Sequence, residues 1–214
     1  MLTSIRIVFH QVIETLAEDG VKNIFRPRVF WNRWAIPVEM DLLTANLPLA
    51  GQLNNAEFQF VEITMDDLQT GKWIFAVPSR GLKALRNLKQ GFRGFAVAKD
   101  STIVGDLWCI ALRKDGKAIY HPDLRMLDIV CSLGDAYAFD MLIPSTYRGK
   151  NLAVPLQKTL QAALKMEGFQ RVYGYYWEDN LPALWMHRML KFKELPKRRV
   201  SRFFFILKSK EEVV

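Results

Sequence analysis

The spacing of apolar and polar residues divides the chain into short strands and helices. Alternating or continuous apolar runs predict strands over residues 57–63, 94–98, 103–111, 136–143, 170–177 and 200–207. Helical spacing predicts helices over 82–88, 152–167 and 181–190. From residue 94 onward the order is β-β-β-α-β-α-β, which indicates an α/β (α+β) domain with helices packed on a mixed sheet.

The first 55 residues have a different pattern. Residues 1–25 have a loose helical spacing, 25–34 are basic and aromatic, and 35–43 are apolar and strand-like. Turn-forming residues then fill 46–55. We therefore predict an N-terminal helical and extended segment over 1–55 and an α/β domain over 56–214. The segment is expected to pack on the domain or to cover its cleft.

Residues 140–163 carry the clearest chemical signal in the chain. A strand ends there, and a basic, glycine-containing turn leads into an amphipathic helix. Helix N-termini present free N–H groups and partial positive charge, so they bind phosphates. Arg148 and Lys150 add full charges, Gly149 allows close approach, and Asn151 tolerates a left-handed conformation. Two interpretations stay open on this pattern: a pyrophosphate site, or a strand–turn–helix with a solvated basic loop.

Composition narrows the classes of function. The 214 residues carry a formal net charge of +8, which suits a phosphorylated cofactor, nucleic acid, an anionic membrane surface or an acidic protein. No apolar run approaches the ~20 residues of a spanning helix, and we expect neither export nor a transmembrane segment. Two cysteines, Cys109 and Cys131, suit buried thiols in a reducing cytoplasm. Three histidines without metal-ligand spacing argue against a metal site.

The segment 146–192 resembles the core of the GNAT N-acyltransferase superfamily. The family motif Arg/Gln-x-x-Gly-x-Gly/Ala is similar to RGKNLA at Arg148–Ala153, with Asn151 at the usual glycine. The resemblance extends from about 94 to 207. It implies a mixed, mostly antiparallel sheet with a central splay, flanked by helices.

The resemblance also implies a reaction. In this family an acyl group, most often acetyl from acetyl-CoA or another acyl-CoA, moves to an amine of a small molecule by direct attack. The end of the motif strand and Asn180 would contact the pantetheine of the CoA co-substrate, the turn over 148–153, here called the cradle, would hold its pyrophosphate, and no metal takes part. These cofactor-binding residues are Met141, Leu142, Ile143, Arg148, Gly149, Lys150, Asn151, Leu152, Ala153 and Asn180.

The catalytic residues follow from the same resemblance. His187 stands at the position of the family's tyrosine, the usual proton donor to the leaving thiolate, and an imidazole can take that role. Asp140 and Glu178 are the candidates for the general base, with an ion pair or a solvated strand end as the alternative. Lys191 replaces the usual glycine, so the turn before Phe192 is expected to adopt a different conformation.

Two alternative functions remain at this point. One is transfer of a long acyl chain from acyl-CoA or from an acyl-carrier protein, as in N-acyl amino acid synthases. An acidic carrier would suit the basic cluster made of Lys191, Lys193, Lys197, Arg198, Arg199 and Arg202. The other is a CoA-binding module without turnover.

The basic aromatic stretch around Arg26, Arg28 and Arg33 looks like a single-stranded nucleic-acid surface. Such stretches more often pack their rings on the body of the domain. We therefore do not expect nucleic acid as a partner.

Overall fold

The strands form one sheet in the part of the chain that the structure, a computed structural model, describes. That part comprises residues 30–48, 52–112, 120–203 and 206–211. The strands are β1 Phe30–Asp41, β2 Gln59–Ile63, β3 Ile74–Phe75, β4 Arg93–Lys99, β5 Thr102–Ala111, β6 Asp135–Leu142, β7 Arg171–Trp177, β8 Lys193–Glu194, β9 Arg198–Phe203 and β10 Ile206–Glu211. The helices are α1 Met65–Gln69, α2 Pro78–Lys89, α3 Pro122–Leu127, α4 Ala153–Met166 and α5 Leu181–Met189, with a 3-10 turn at Ser145–Tyr147.

The strand order is β10-β9-β1-β7-β6-β5-β4-β2, with β3 beside β5 and β8 beside β1. Pairing is antiparallel except between β6 and β7 and between β3 and β5. The predicted mixed, mostly antiparallel sheet with flanking helices is therefore confirmed.

The parallel pair β6 and β7 separates part-way along its length. Pairing runs from Asp135 opposite Arg171 to Tyr137 opposite Tyr173 and ends there. Both strands continue, β6 to Leu142 and β7 to Trp177. This separation is the predicted central splay, and it leaves backbone groups of β6 free of a strand partner on that side.

A β-bulge bends β6 at the splay. On its other edge β6 pairs Phe139 with Trp108 and Leu142 with Asp106, so β6 holds one more residue than β5 between these pairs. Asp140 lies in the bulge with a left-handed φ of 56°. Aspartate adopts this conformation more readily than most residues, and bulges re-aim side chains beside functional clefts.

Alternating residues of the strands fill two cores on opposite faces of the sheet. Phe95 and Val97 of β4 belong to the core beneath α4 and α5. Ala96 and Ala98 belong to the core that includes residues of α2 and α3. The splay is thus bordered by α4 and α5 on one face and by α2 and α3 on the other.

The N-terminal part of the sheet was expected to be a separate extended segment. In the structure β1 pairs with β7 and β9, so residues 30–41 lie inside the sheet. Residues 1–29 lie outside the described residues, and the predicted boundary at 55/56 stays a prediction.

Two further elements differ from the sequence-based expectation. The single last strand predicted over 200–207 is wrong, because β9 and β10 form an antiparallel pair. The apolar run there contains no glycine, proline or asparagine to signal a turn. Helix α3 was not predicted, because six residues are too few to show a helical period.

Candidate active site

A small cavity lies where β6 and β7 separate, on the face of α4 and α5. Its volume is about 60 Å³. This cavity, here called cavity A, is lined by residues of β6, β7 and α5 that include Phe139, Asp140, Met141, Gly174, Tyr175 and His187. The sequence-predicted His187 and the motif strand therefore meet at the splay.

His187 is held in one orientation on α5. Its Nδ1 lies 2.7 Å from the carbonyl oxygen of Ala183, and its ring stacks on Tyr176 at 5.3 Å and meets Phe192 edge-on at 5.0 Å. A carbonyl oxygen only accepts hydrogen bonds, so Nδ1 carries a hydrogen. Burial lowers the pKa of His187, although the bond to Ala183 raises it. The ring is therefore neutral at pH 7, with an unprotonated Nε2 that makes no hydrogen bond within the described residues.

A larger cavity lies on the opposite face of the sheet. It has a volume of about 470 Å³ and is lined by α2, the start of α3 and the outer part of β6. We call it cavity B. Cavities A and B share Phe139, Asp140 and Tyr175. The two cavities therefore adjoin at the splay, one on each side of the sheet.

His121 is part of the wall of cavity B. It caps α3, where its Nδ1 accepts the N–H of Asp123 at 3.3 Å, and its ring lies 4.2 Å from Phe139. Burial lowers the pKa of His121, while Asp123 and Asp140 raise it. Burial also raises the pKa of Tyr175 on the neighbouring strand. Cavity B thus offers a neutral imidazole and a neutral phenol.

The bulge at Asp140 is fixed by a buried arginine. Arg80 donates from Nη1 to both carboxylate oxygens of Asp140 and from Nη2 to its carbonyl oxygen, each at 2.9 Å. The same guanidinium donates from Nε to Asp106 at 3.0 Å, and Asp106 also accepts from the Trp108 indole at 2.6 Å. Lys83 makes a second ion pair with Asp140. Asp140 therefore holds the strand geometry through its carboxylate.

The predicted phosphate cradle has the geometry of an open turn. Gly149 and Asn151 adopt left-handed φ values of 80° and 54°, and a Cβ added at Gly149 would meet no atom within 4 Å. Helix α4 begins after Leu152 without a side-chain cap, which leaves its first N–H groups unpaired by any capping side chain. Arg148 is exposed and donates to the carbonyl of Ile143 at 3.2 Å.

Lys150 is the second cation of this turn, and it already has a partner. Its Nζ lies 3.0 Å from Glu57 Oε1 and sits over the ring of Phe58 at 5.5 Å. Lys150 and Lys99 lower the pKa of Glu57. A phosphate in the cradle would compete with this carboxylate for Lys150.

The remaining predicted residues divide into two groups. Met141 and Leu142 end β6 beyond its pairing with β7, Ile143 follows directly, and Ala153 begins α4. Asn180 caps α5, where its side chain accepts the N–H of Ala183 at 3.3 Å.

Glu178 lies apart from both cavities. It lines a surface groove of about 360 Å³ and makes an ion pair with Lys197 at 3.5 Å. The structure does not bring Glu178 together with His187 in cavity A. A role for Glu178 as general base stays a prediction that this geometry does not favour.

The turn at Lys191 adopts the conformation that a glycine would adopt there, not the different conformation that was expected. Lys191 takes the left-handed conformation itself, with φ of 61°. The N–H of Phe192 donates to the carbonyl of His187 at 3.0 Å, which closes the helix as a glycine-ended Schellman motif would. The expectation of a different conformation was wrong, because the closing hydrogen bonds impose the glycine geometry on lysine.

Much of the basic C-terminal cluster is already paired. Lys193 contacts Glu39 at 2.9 Å, Arg198 contacts Asp128 at 2.5 Å, and Lys197 lies over the ring of Trp34 at 4.8 Å. The side chain of Arg202 lies outside the described residues. This pairing reduces the charge available to an acidic partner.

Aromatic residues of the N-terminal stretch pack on the sheet. Trp31 meets Trp177 edge-on at 5.1 Å, and Arg33 lies over the same ring at 4.8 Å. This confirms the expected packing for the described part of the stretch. Arg26 and Arg28 lie outside the described residues.

The residues that sequence reasoning missed are Arg80, Arg86, Asn87 and His121. Three lie on α2, whose sequence was recognised only as a helix. His121 precedes a proline and an aspartate, which is a typical start of a helix. This pattern could have predicted that the side chain of His121 caps a helix.

Other kinds of site find no support in the part of the chain that the structure describes. Within them no group of three or more His, Cys, Asp or Glu side chains could hold a metal ion. No helix of that part of the chain has the length and apolarity to cross a membrane. Burial raises the pKa of Cys109 and of Cys131 to about 12, so neither thiol ionises near neutral pH.

The fold was compared with solved structures. It resembles the glucosamine N-acetyltransferase region of a fungal multi-domain β-N-acetylglucosaminidase, with a TM-score of 0.58, 12% identity and 90% of this chain covered. It also resembles a GNAT-family acetyltransferase from Colwellia psychrerythraea, with a TM-score of 0.51, 14% identity and 83% of this chain covered. The chain has the GNAT fold.

A tandem GNAT protein of the clavulanic acid biosynthesis pathway shares this fold, with a TM-score of 0.51, 16% identity and 84% of this chain covered. The chain spans 23%, 57% and 53% of the lengths of these three proteins, respectively. No family model and no curated protein matches the sequence. The GNAT fold is thus established by structure, at identities too low to carry over a substrate.

Proposed function

We propose that this protein transfers an acyl group from a CoA thioester to an amine by direct attack. The observation that carries the proposal is the splay of β6 and β7, with an open phosphate-type turn at one end and cavities on both faces. The pyrophosphate of CoA would bind the N–H groups from Gly149 to Ala153, with Arg148 and Lys150 beside them. The pantetheine would pair with free backbone groups from Met141 to Ile143, and Asn180 would contact it from α5.

The size of cavity A favours a short acyl group. About 60 Å³ holds only a few water-sized groups, so an acetyl group fits and a long chain would require side chains to move. The acceptor amine would approach from cavity B and attack the carbonyl carbon across the shared wall.

His187 would move the proton in this reaction. Attack by a neutral amine forms the C–N bond and gives a tetrahedral oxyanion with a protonated nitrogen. The unprotonated Nε2 of His187 takes that proton as the C–S bond breaks, and it then donates the proton to the leaving thiolate. Positioning and stabilisation of the oxyanion by backbone N–H groups supply most of the acceleration. In this scheme Asp140 shapes the bulge, and its role as general base stays a prediction.

The test is release of free CoA thiol, with product mass measured in the same reaction. Acetyl-CoA and a long-chain acyl-CoA are each offered with a panel of small amines. We expect CoA release that depends on an amine and is faster with acetyl-CoA. Binding of CoA without release for any amine would instead identify a CoA-binding module.

A further inference from the structure

Two neighbouring residues of α2 line cavity B and carry unsatisfied hydrogen-bond donors. The Nε of Arg86 and the Nδ2 of Asn87 are buried and have no hydrogen-bond acceptor. Both residues line the cavity, and Asn87 is 1% exposed. Buried donors without partners cost free energy, and such groups require an explanation in a folded protein. Because both atoms are donors, the missing partner is an oxygen acceptor.

The charge of this wall also indicates an acceptor oxygen that carries negative charge. Lys83 is paired with Asp140, whereas Arg86 has no ion pair within the described residues. Arg86 therefore contributes an uncompensated positive charge to a partly enclosed space. A guanidinium presents its N–H groups in a planar fork that matches a carboxylate.

The positions along α2 connect this wall to the splay. Lys83, Arg86, Asn87 and Gln90 have the i, i+3, i+4, i+7 spacing of one helix face, and all four line cavity B. Asn87 lies about 6 Å along the helix axis beyond Lys83, which itself contacts Asp140 at the bulge. The helix face that carries Arg86 and Asn87 is therefore continuous with the splay along the wall of cavity B.

The remaining lining residues of cavity B supply a carboxylate and apolar surface. Asp123 supplies negative charge, because Asp140 is already compensated by Arg80 and Lys83, and His121 lies between aromatic neighbours. Phe92, Tyr120 and Tyr175 provide apolar walls. The cavity is thus negative at Asp123 and positive at Arg86.

We propose that the acyl acceptor is an amine that carries a carboxylate, an amino acid in the broad sense, whose carboxylate is bound by Arg86 and Asn87. This proposal rests on the function proposed above. The carboxylate accepts from both unsatisfied donors and pairs with the free guanidinium. The amine then lies toward the splay, and the carboxylate of Asp123 attracts it from the wall of cavity B.

The test is a matched panel of acceptors in the CoA-release assay. Several α- and ω-amino acids are each compared with the corresponding decarboxylated amine, the primary amide and a phosphorylated amine of similar size. We expect kcat/KM for the best acid to exceed that of its decarboxylated and amide forms about tenfold or more, since hydrogen bonds to charged groups are strong.

The variant Arg86→Gln should reduce kcat/KM for the acid about tenfold and change that for the matched amine little. Lys89→Gln is the control, because it removes the same charge from an exposed position of α2 that does not line the cavity. Unchanged CoA affinity by calorimetry shows that Arg86→Gln is folded.

Results that contradict the carboxylate proposal can be told apart from results that contradict the proposed function. Equal use of acid and amine, an acid preference that survives Arg86→Gln, or a phosphorylated amine as the best acceptor would each overturn the carboxylate proposal and leave acyl transfer standing. Absence of CoA release with every amine would overturn the proposed function and this inference with it.

Discussion

Replacing Arg80 by methionine should strongly destabilise the fold. Its side chain is 8% exposed and neutralises two carboxylates, that of Asp106 at 2% exposed and that of Asp140 at 26%. Removing one partner of a buried ion pair costs about 3–5 kcal/mol, because the remaining charge stays buried without compensation. A chain of this length loses roughly 2–4 °C of Tm per kcal/mol, so Tm should fall by about 6–20 °C.

The loss should depend on pH. Burial raises the pKa of Asp106, and Arg80 lowers it in the wild type. In Arg80→Met the folded pKa of Asp106 therefore lies further above the unfolded value of about 3.9. The folded variant then binds more protons than the unfolded chain, so its stability falls as pH rises through that pKa and recovers as pH falls.

The assay is urea unfolding at several pH values between about 5 and 8. Arg188→Met is the matched control, because Arg188 is 56% exposed and its pair with Glu194 is expected to contribute at most about 1 kcal/mol. A loss below about 1 kcal/mol for Arg80→Met, or one that does not change with pH, would refute the argument that two buried carboxylates depend on this arginine.

Three further predictions concern the site and its turns. His187→Phe should lower turnover about 10²-fold or more with little change in CoA affinity. It should also abolish the rise in rate that the wild type shows as pH increases through the lowered pKa of this imidazole, and an unchanged pH profile would exclude His187 from proton transfer. Arg148→Ala and Lys150→Ala should each weaken CoA binding more at low than at high salt in calorimetry, whereas Lys158→Ala, further along α4, should not. Lys191→Gly should raise the free energy of unfolding by about 1 kcal/mol by relieving a left-handed backbone, and a loss of stability in urea unfolding would contradict this.

The elements with a clear period were predictable from sequence. Helix α4 ends at Met166, and Gly168 just beyond it adopts a φ of 84° while Phe169 donates back to Leu164, a closure that a glycine followed by an apolar residue indicates in the sequence. Asn151 likewise takes the left-handed conformation that its position in the motif required. These features are local, so neighbouring residues contain the information that determines them.

Cavity B could not be predicted in the same way. Its wall combines α2, the start of α3 and the bulge of β6, which are far apart in sequence and meet only through the sheet register. Arg86 and Asn87 look like ordinary polar helix residues in the sequence. Their unsatisfied donors become visible only when packing removes water from them.

Calorimetric titration with acetyl-CoA tests the central claim most directly, since acyl transfer at the splay requires that the donor bind there. We predict one site per chain, with an affinity that weakens as salt rises because Arg148 and Lys150 contribute charge. Arg148→Ala should lower that affinity. No saturable heat with acetyl-CoA up to about 1 mM, the upper end of ordinary substrate ranges, would contradict a CoA site in this fold.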